Sequence, residues 1–571
     1  MFNRFFAGHL VLLLLWGCGN NNTGKLFELV SPDDTGIYFS NNLVLDDDSL
    51  TVLDFEYKYD GGGVGLGDIN NDGLTDIYLT GNMVSSRLYL NKGDWEFEDI
   101  TDQAGVGTVN WANGVSMVDI NQDGFLDIYV CMSGHRNQPE EVKKNRLFIN
   151  NKDNTFTESA ASYGLDDMGY SIQATFLDYD KDGDLDMYLL ENGLVRFNRN
   201  TPREVMKNGK AITTDKLFRN NGDNTFTDVS AQAGILIEGF GLGVQTCDIN
   251  EDGWPDVYVS NDFLTNDLIW VNNGDGTFTD KAFEYLKHQT HNGMGCDLAD
   301  INNDGLLDIG ELDMLPEDNK QRKLTTMGSS YDVFLMRLHY GYQPQYIRNT
   351  LQLNNGNGTF SEIGQLAGIQ ATDWSWSLLF ADYDNDGYKD AFVSNGYRQN
   401  ITNLDFIMYS QNLSTFGNAG ENRKQKIEAL YAIEGVKLSN YMFRNKGNLT
   451  FENTTEDWGM NRPSYSNGAA YADLDNDGDL DYVINNIDEE PFIYRNKLNE
   501  GKEANAVPAF LRVALHGPEK NRQGIGARVY LNYGDKKQYL YMTPSRGYLS
   551  SVEPVLHFGL GETNVIDSLR I

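Results

Sequence analysis

The chain has 571 residues, with 83 Asp and Glu against 45 Lys and Arg, so that its formal net charge is −38. Such a surplus repels phosphate backbones, and no Lys- and Arg-rich stripe with interleaved aromatic residues is present, so nucleic acid is excluded as the expected partner. A hydrophobic content of 40% with 12% aromatic residues supplies a large core and excludes a disordered acidic chain.

The N-terminus has the features of an export signal. Residues 1–18 carry Arg4, an apolar run at 10–16, and then a glycine and Cys18. The run is too short to span a membrane, and it resembles a bacterial lipoprotein signal with lipidation at Cys18. An ordinary cleaved signal peptide is the alternative. We expect a flexible tether at 19–26 and an exported protein, an outer-membrane or cell-surface lipoprotein with the periplasmic side not excluded, which meets the membrane only through its N-terminal lipid.

A nine-residue pattern beginning with DINNDGLTD at 68–76 recurs seven times, and Asp, Asp, Gly and Asp occupy places 1, 5, 6 and 9 of every copy. The copies, here called loops one to seven, are 68–76, 119–127, 178–186, 248–256, 300–308, 382–390 and 473–481. Oxygen ligands at places 1, 3, 5 and 9 and a carbonyl at place 7 converge on a hard cation, while the glycine permits the sharp turn. Hydrogen-bonded turns made by Asp, Asn and Gly are the alternative.

Calcium is the expected cation. An EF-hand would add Glu at place 12 and flanking helices, but only Glu311 fits that place, and the runs after the loops are β-like. Magnesium is disfavoured because it retains several waters. We predict up to seven structural Ca²⁺ ions. Their ligands are Asp68, Asn70, Asp72, Leu74, Asp76, Asp119, Asn121, Asp123, Phe125, Asp127, Asp178, Asp180, Asp182, Asp184, Asp186, Asp248, Asn250, Asp252, Trp254, Asp256, Asp300, Asn302, Asp304, Leu306, Asp308, Asp382, Asp384, Asp386, Tyr388, Asp390, Asp473, Asp475, Asp477, Asp479 and Asp481.

Six of the loops are followed by a strand, an Asn/Gly turn and a second strand, as in LYLNKGDWEFEDITDQAGV at 88–106. With the strands that enter and leave each loop, every unit has four strands, which predicts an all-β fold of the β-propeller type. The seventh unit lacks its last strand, whereas FELVSPDDTGI at 27–37 matches that strand without a partner. We therefore predict a seven-bladed β-propeller at 27–497, closed by the N-terminal strand. A simple leader segment is the alternative.

These repeats resemble the FG-GAP/VCBS repeats of integrin α-subunit propellers, which implies calcium in the loops between strands one and two. Place 3 is Asn in loops one, two, four and five, so we expect weaker binding there. After a linker at 498–507, NRQGIGARVYL and HFGLG resemble the small ASPIC/UnbV β domain that follows such repeats in bacterial surface proteins and in cartilage acidic protein. This domain is expected at 508–571 and is expected to be truncated.

Insertions between strands two and three mark the face opposite the loops, and such insertions commonly build a binding surface. Aromatic residues at the start of the innermost strand are expected at the mouth of the channel on the same face, where they either bind a ligand or pack between blades. They are Trp111, Tyr170, Phe240, Trp374 and Tyr465.

We therefore predict an extracellular binding or adhesion protein, not an enzyme, whose partner is a glycan or a protein. The alternative is a polysaccharide-degrading lyase or hydrolase. Its acid/base candidates lie in the insertions, and their spacing does not indicate a catalytic pair or triad. They are Glu140, Glu141, His339, Tyr340 and Tyr346. A purely structural assembly part is a third possibility.

Overall fold

A computed structural model describes residues 24–43, 51–135, 137–193, 202–262, 264–325, 330–415, 418–500 and 507–571. It is mostly β, with seven repeated four-stranded antiparallel sheets consistent with propeller blades. The signal, Cys18 and most of the linker lie outside the described residues. Among the described residues, no helix has the length and hydropathy needed to cross a membrane.

Each sheet is built from one repeat, and an aspartate loop joins its first two strands. The first strands are Val64–Gly67, Ala112–Val118, Ser171–Leu177, Gly241–Cys247, Cys296–Ala299, Ser375–Ala381 and Ser466–Ala472. The second strands are Asp76–Leu79, Asp127–Met132, Asp186–Glu191, Asp256–Asn261, Asp308–Glu311, Asp390–Asn395 and Asp481–Asn486. Every residue of these fourteen strands is buried, because both faces of each sheet are covered.

The third and fourth strands form the outer hairpin of each sheet. The third strands are Arg87–Asn91, Arg146–Asn150, Lys216–Asn220, Leu268–Asn272, Thr350–Asn354, Tyr441–Asn445 and Phe492–Asn496. The fourth strands of sheets one to six are Phe97–Asp99, Phe156–Glu158, Phe226–Asp228, Phe278–Asp280, Phe360–Glu362 and Phe451–Asn453. Each begins with a buried phenylalanine followed by two more exposed residues, so that only its first side chain enters the core.

The fourth strand of sheet seven comes from the N-terminus. Phe27–Val30 pairs antiparallel with Phe492–Asn496, with Phe27 opposite Asn496. A one-turn helix at Pro32–Thr35 follows it, as one follows the fourth strand in each of the other six sheets. Those helices are Thr101–Ala104, Ala160–Tyr163, Ser230–Ala233, Ala282–Tyr285, Gly364–Ala367 and Thr455–Trp458. The pairing of Phe27–Val30 with the last sheet is therefore as the sequence predicts.

Neighbouring sheets are joined by the asparagine that ends strand three. In six sheets its amide donates to the carbonyl of the place-2 residue in the loop of the preceding sheet, and for sheet one the preceding sheet is the seventh. The bonds are Asn91 to Leu474 (3.0 Å), Asn150 to Ile69 (2.8 Å), Asn272 to Tyr179 (2.8 Å), Asn354 to Ile249 (3.4 Å), Asn445 to Ile301 (2.8 Å) and Asn496 to Tyr383 (2.9 Å).

The insertions lie at the ends of the sheets away from the loops, since they follow strand two. They contain short 3-10 and α-helical segments and paired two-residue strands. The helices are Asn319–Thr325, Tyr331–His339, Leu404–Thr415 and Ala419–Tyr431, with a 3-10 turn at Glu140–Lys143; a further 3-10 turn, Glu56–Tyr59, precedes strand one of the first sheet. Gln289–Thr290 pairs with Gln345–Tyr346, and Leu438–Ser439 pairs with Pro463–Ser464.

The C-terminal part forms two small sheets around its own core, which includes Val529, Leu531 and Phe558. Its strands are Ala509–Ala514, Arg528–Tyr533, Lys536–Tyr541, Ser545–Arg546, Ser550–Ser551, Val555–Gly561 and Ser568–Arg570. The two short strands leave this core: Ser551 pairs with Gly65 of sheet one. The C-terminal part and the repeats are therefore interlocked rather than joined end to end.

Candidate metal loops and the surfaces around them

All seven loops adopt one backbone conformation. The place-4 residue has a positive φ of 55° to 64°, and the place-6 glycine has a φ of 86° to 98°. Positive φ is unfavourable for a non-glycine residue and free of strain for glycine, and Asn, which tolerates it best, stands at place 4 in four of the seven loops. The pattern DxxxDG therefore specifies a tight turn in every repeat.

Backbone N–H groups orient the aspartates inside each turn. In loop one, Asp68 Oδ1 accepts from Asp72 N–H at 3.1 Å and Asp68 Oδ2 accepts from Gly73 N–H at 2.7 Å. At place 9, Asp76 accepts from Ile69 N–H at 2.9 Å and from Asn91 N–H at 2.8 Å. The place-9 carboxylate thus ties the loop to strand three of the same sheet.

Three loops bring carboxylate oxygens within 4.8 Å of one another in triads that could hold a metal ion. The triads are Asp178, Asp180 and Asp186; Asp382, Asp384 and Asp390; and Asp473, Asp475 and Asp481. They are the loops with Asp at place 3, since Asn contributes an amide oxygen instead. Oδ1 of Asp178 and Oδ1 of Asp248 are buried without a hydrogen-bond partner among the described residues. Orphaned buried oxygens of this kind fit a cation.

The electrostatics of the place-9 carboxyls agree with this fit. Burial, and then repulsion by neighbouring aspartates, raise the pKa of Asp76 and of Asp127 to about 8, and of Asp186 to about 9. Backbone hydrogen bonds oppose the rise without cancelling it. A carboxylate cluster that resists ionisation by itself is stabilised in its charged form by a bound cation.

The EF-hand alternative is excluded by the position of Glu311. This residue ends strand two of sheet five, at the far end of the strand from loop five, and its Oε1 accepts from Ser260 Oγ at 2.6 Å. Place 12 therefore lies outside the loop because the chain continues as a strand rather than as a helix.

The C-terminal domain lies on the loop face and contacts every loop, which the sequence did not indicate. Five basic side chains each reach one loop: Arg522 to Gln122 O (3.3 Å), Lys520 to Asp184 Oδ2 (3.2 Å), Arg528 to Asp248 Oδ2 (2.9 Å), Lys537 to Asp304 O (2.5 Å) and Arg512 to Asp473 Oδ2 (2.9 Å). Thr75 with Glu553 (3.4 Å) and Asn385 with His557 (2.6 Å) make the contacts in loops one and six. Positive side chains thus cover part of the acidic surface.

Residues 543–552 of this domain contact the first strand of every sheet. The contacts in sheets one to seven are Ser551 paired with Gly65, Leu549 O with Val115 N (3.1 Å), Ser550 O with Gln173 (3.4 Å), Thr543 with Thr246 (2.9 Å), Arg546 with Asp297 (2.6 Å), Tyr548 with Trp376 (5.2 Å between ring centroids) and Arg546 with Tyr471. The centre expected to be a channel is therefore filled.

The predicted aromatic ring is mostly buried. Trp111, Phe240 and Trp374 are at most 9% exposed, so these three cannot offer a face to a ligand in this conformation and the binding prediction for them is corrected. Trp111 packs edge-on against Phe55 at 4.8 Å, and Trp374 stacks on Tyr397 at 3.5 Å. Phe55, which precedes strand one of the first sheet, thus covers Trp111, and Tyr397 covers Trp374.

Tyr170 and Tyr465 remain half-buried at the surface. Lys143 lies 5.4 Å from the ring centre of Tyr170, and Lys437 lies 5.7 Å from that of Tyr465. These rings therefore keep an accessible part beside a positive charge, and their ligand-binding role stays a prediction.

The acid/base candidates of the insertions occupy separate segments. Glu140 and Glu141 begin a 3-10 turn, whereas His339 and Tyr340 end a helix. Tyr346 does join a polar group: its ring lies 5.2 Å from His288, and Arg348 lies 5.3 Å from its centre.

Sequence reasoning missed the partner of that group, Glu362. Glu362 Oε2 lies 3.3 Å from both His288 Nε2 and Arg348 Nη2. Despite burial, hydrogen bonding from His288 holds the pKa of Glu362 below its usual value. The short parallel strands Gln289–Thr290 and Gln345–Tyr346 bring these distant residues together. No sequence motif indicates this strand pairing.

Two family models match this chain. One described as an FG-GAP-like repeat matches residues 68–130, 136–189, 208–259, 248–310, 332–393 and 426–484. One described as ASPIC and UnbV matches residues 517–571. The matches cover the loops and the domain that contacts them.

Cartilage acidic protein 1 is a distant relative. The human protein is 22% identical over 527 residues, which cover 88% of this chain and 67% of the human protein. The Xenopus tropicalis protein is 33% identical over 132 residues, which cover 23% of this chain and 19% of that protein. A T-cell immunomodulatory protein homolog of Plasmodium yoelii yoelii is 27% identical over 138 residues, or 21% of this chain and 19% of that protein. The matched parts thus span between about a fifth and two thirds of these relatives.

Solved structures give only a weak likeness. Saccharomyces cerevisiae Sqt1 has a TM-score of 0.36 at 9% identity over 77% of this chain and 97% of its own. Rhamnogalacturonan lyase YesW has a TM-score of 0.35 at 10% identity over 76% of this chain and 71% of its own. Neither carries an argument about this protein. Because the repeat model matches more than half of the residues, the chain belongs to the FG-GAP-like repeat family, and it carries an ASPIC/UnbV domain after its repeats.

Proposed function

We propose that this protein is a calcium-stabilised, exported binding protein that captures a macromolecule, glycan or protein, on the insertion face. The insertion face is the surface formed by the segments between strands two and three, at 133–145, 192–215, 312–349 and 396–440. One observation carries the proposal. The C-terminal domain contacts all seven loops and its residues 543–552 fill the centre, so among the described residues the insertion face is the end of the repeats that this domain leaves uncovered.

The repeats are inferred to form a closed seven-bladed ring. Phe27–Val30 completes the seventh sheet, and the Asn91 amide reaches the Leu474 carbonyl of that sheet. On the loop face, Asn476 Nδ2 donates to Gly73 O at 2.9 Å, which joins loop seven to loop one. Closure leaves no open sheet edge and gives the insertions a rigid support.

Calcium at up to seven loops would stabilise this ring. Extracellular modules bind calcium with dissociation constants of roughly 0.1–1 mM, close to its concentration outside cells. An ion at ten times its dissociation constant adds about 1.4 kcal/mol for each site. Because net stabilities are about 5–15 kcal/mol, several sites together would supply much of the total.

Charge indicates the chemistry of the partner. The four insertions carry 18 Lys and Arg against 12 Asp and Glu, a net charge of +6, whereas the remaining residues carry 27 against 71. Several of these basic residues are exposed, among them Lys207, Lys210, Lys320 and Lys424. An acidic macromolecule would be attracted to this face and repelled by the rest of the surface.

The position of the N-terminus is compatible with a surface protein. Strand pairing sets Phe27 opposite Asn496, at the loop end of sheet seven, so the preceding segment leaves from the loop face. A lipid anchor at Cys18 would hold that face toward the membrane. The insertion face would then point outward, toward soluble or extracellular partners.

The test is an array of uronate-containing, sulfated and neutral glycans together with extracellular proteins, probed in 1 mM CaCl₂ and in chelator. We expect an acidic partner to be retained in calcium only. Charge reversal at Lys207, Lys210 and Lys320 should abolish retention, while the matched reversal of Lys446 and Lys536 away from the insertions should not. Equal loss in both sets would contradict the assignment of the face.

The enzyme class remains the second proposal, and one observation favours it. Glu362, His288, Arg348 and Tyr346 place a carboxylate, an imidazole, a cation and a phenol together beside an insertion. Shortening of an acidic glycan by the purified protein, lost in Glu362→Gln, would establish catalysis. An intact glycan after prolonged incubation would leave binding as the function.

A further inference from the structure

The residue type at place 3 of the loops correlates with the residue type at one position of strand three. Place 3 is Asn in loops one, two, four and five and Asp in loops three, six and seven. The residue before the final asparagine of strand three is apolar in the first group and arginine in the second. The apolar residues are Leu90, Ile149, Val271 and Leu353, and the arginines are Arg219, Arg444 and Arg495. The correspondence holds in all seven repeats.

In the asparagine loops, the place-3 amide holds the place-5 carboxylate. Its Nδ2 donates to Oδ2 of the aspartate at place 5 in each of the four loops. The bonds are Asn70 to Asp72 (3.0 Å), Asn121 to Asp123 (3.1 Å), Asn250 to Asp252 (2.8 Å) and Asn302 to Asp304 (2.9 Å). A neutral donor therefore fixes this carboxylate without changing the charge of the loop.

An aspartate at place 3 removes that donor and adds a second negative charge. In loop six, Arg444 supplies the missing donor and also neutralises the added charge. Its Nε lies 2.7 Å from Asp384 Oδ2, and its Nη2 donates to Asp386 Oδ2 at 3.0 Å. Arg444 thus bridges the outer oxygens of places 3 and 5. Oδ1 of Asp384 and Oδ1 of Asp386 accept only from backbone N–H groups of the loop itself.

The other two aspartate loops differ in how close the arginine comes. In loop seven, Arg495 Nε lies 3.5 Å from Asp475 Oδ2. In loop three, Arg219 makes no ion pair with Asp180 within 4.0 Å among the described residues, and only its positive charge acts on that carboxylate. Counting places 1, 3, 5 and 9 with the arginine, every loop has a net charge of −3: three aspartates in one group, and four with one arginine in the other.

We propose that the place-3 aspartate and the strand-three arginine form one exchangeable unit, equivalent to an asparagine, which keeps the summed charge of places 1, 3, 5 and 9 and this arginine at −3 in every loop. Arg219, Arg444 and Arg495 are then positioning residues for the carboxylates of places 3 and 5. The consequence is that an aspartate at place 3 adds no affinity for calcium over an asparagine, in place of the weaker binding expected for the asparagine loops. This inference rests on the proposed calcium binding.

The test converts loop six from one form to the other. Asp384→Asn, Arg444→Leu and the double variant are made in the full chain, freed of metal and titrated with CaCl₂ by calorimetry. Arg444→Leu leaves a charge of −4 and should raise the affinity of this loop about tenfold or more, because one repelling charge near the ion is gone. Asp384→Asn leaves −2 and should lower the affinity by a similar factor. The double variant should return to the parent value.

Unfolding in excess chelator supplies the second readout. Without metal, Arg444→Leu should lower the melting temperature, because carboxylates lose their counter-charge, and adding Asp384→Asn should restore it. Arg146→Leu, an arginine at the opposite end of a third strand, is the control and should leave calcium affinity unchanged. If Arg444→Leu does not fold, the same cycle is run in loop seven with Asp475→Asn and Arg495→Leu, because this loop also has the ion pair.

The outcomes separate this pairing from the proposed function. A double variant as far from the parent as the single variants, or an Arg444→Leu protein of unchanged or lower affinity, would overturn the exchange. Failure of the parent protein to take up any calcium would defeat the proposed function instead. In that case the chelator experiment still decides whether the arginine and the aspartate act as one unit.

Discussion

Replacing Asp186 by asparagine should separate the two roles of a place-9 carboxylate. Asp186 is fully buried; Tyr179 N–H donates to its Oδ2 at 3.2 Å, and Asn220 N–H donates to its Oδ1 at 2.8 Å. In the metal-free protein, burial raises the pKa of Asp186 to about 9, so the carboxyl is protonated at pH 7. An asparagine has the same shape and charge as this protonated group, but its amide nitrogen cannot accept one of these two backbone hydrogen bonds.

The expected loss of stability therefore depends on calcium. In chelator, Asp186→Asn should cost about 1–2 kcal/mol, because the charge does not change and only one buried backbone N–H loses its acceptor. In calcium, the variant loses the contribution of a site, about 1.4 kcal/mol at ten times the dissociation constant, and a charge-assisted hydrogen bond. The total loss should then be roughly 2–4 kcal/mol.

Equilibrium unfolding by urea at pH 7, in 5 mM CaCl₂ and in excess chelator, measures both values. Asp228→Asn, an exposed aspartate on strand four of the same sheet, is the matched control and should show no calcium-dependent loss. An equal loss in calcium and in chelator would refute the reasoning, because it would make Asp186 a structural hydrogen-bond acceptor only.

Three further results are expected. Burial raises the pKa of Asp76 to about 8, so in chelator the stability that such carboxyls supply should be present below about pH 4 and lost as the pH rises through 8. The difference between the melting temperatures with and without calcium should therefore widen from pH 5 to 8. A constant difference would contradict this. Asn91→Ala removes the hydrogen bond between sheets one and seven and should lower the free energy of unfolding in urea by about 1–3 kcal/mol. Asn220→Ala should lower it less, because among the described residues the Asn220 amide donates only within its own sheet. Trp111→Ala should lower stability by about 3–5 kcal/mol, whereas Tyr465→Ala should mainly weaken ligand retention; the reverse order would restore Trp111 as a binding residue.

The sequence determined the repeated unit because its information is local. Each loop needs Asp, Gly and Asp at fixed places for one turn conformation. Each strand either alternates apolar and polar residues or consists of a short series of apolar residues. The same locality gave the N-terminal strand, since FELVSPDDTGI has the pattern of a fourth strand and its following turn.

Only the tertiary structure decided what surrounds the loops and the centre. Arg512 reaches Asp473, Tyr548 packs on Trp376, and Phe55 packs on Trp111, and each pair joins segments far apart in the chain. No periodicity within a repeat encodes such contacts, because they depend on how the seven sheets and the C-terminal domain are placed. The sequence left open whether the aromatic residues bind a ligand or pack between blades, and only the segments that cover Trp111 and Trp374 decide that these two belong to the core.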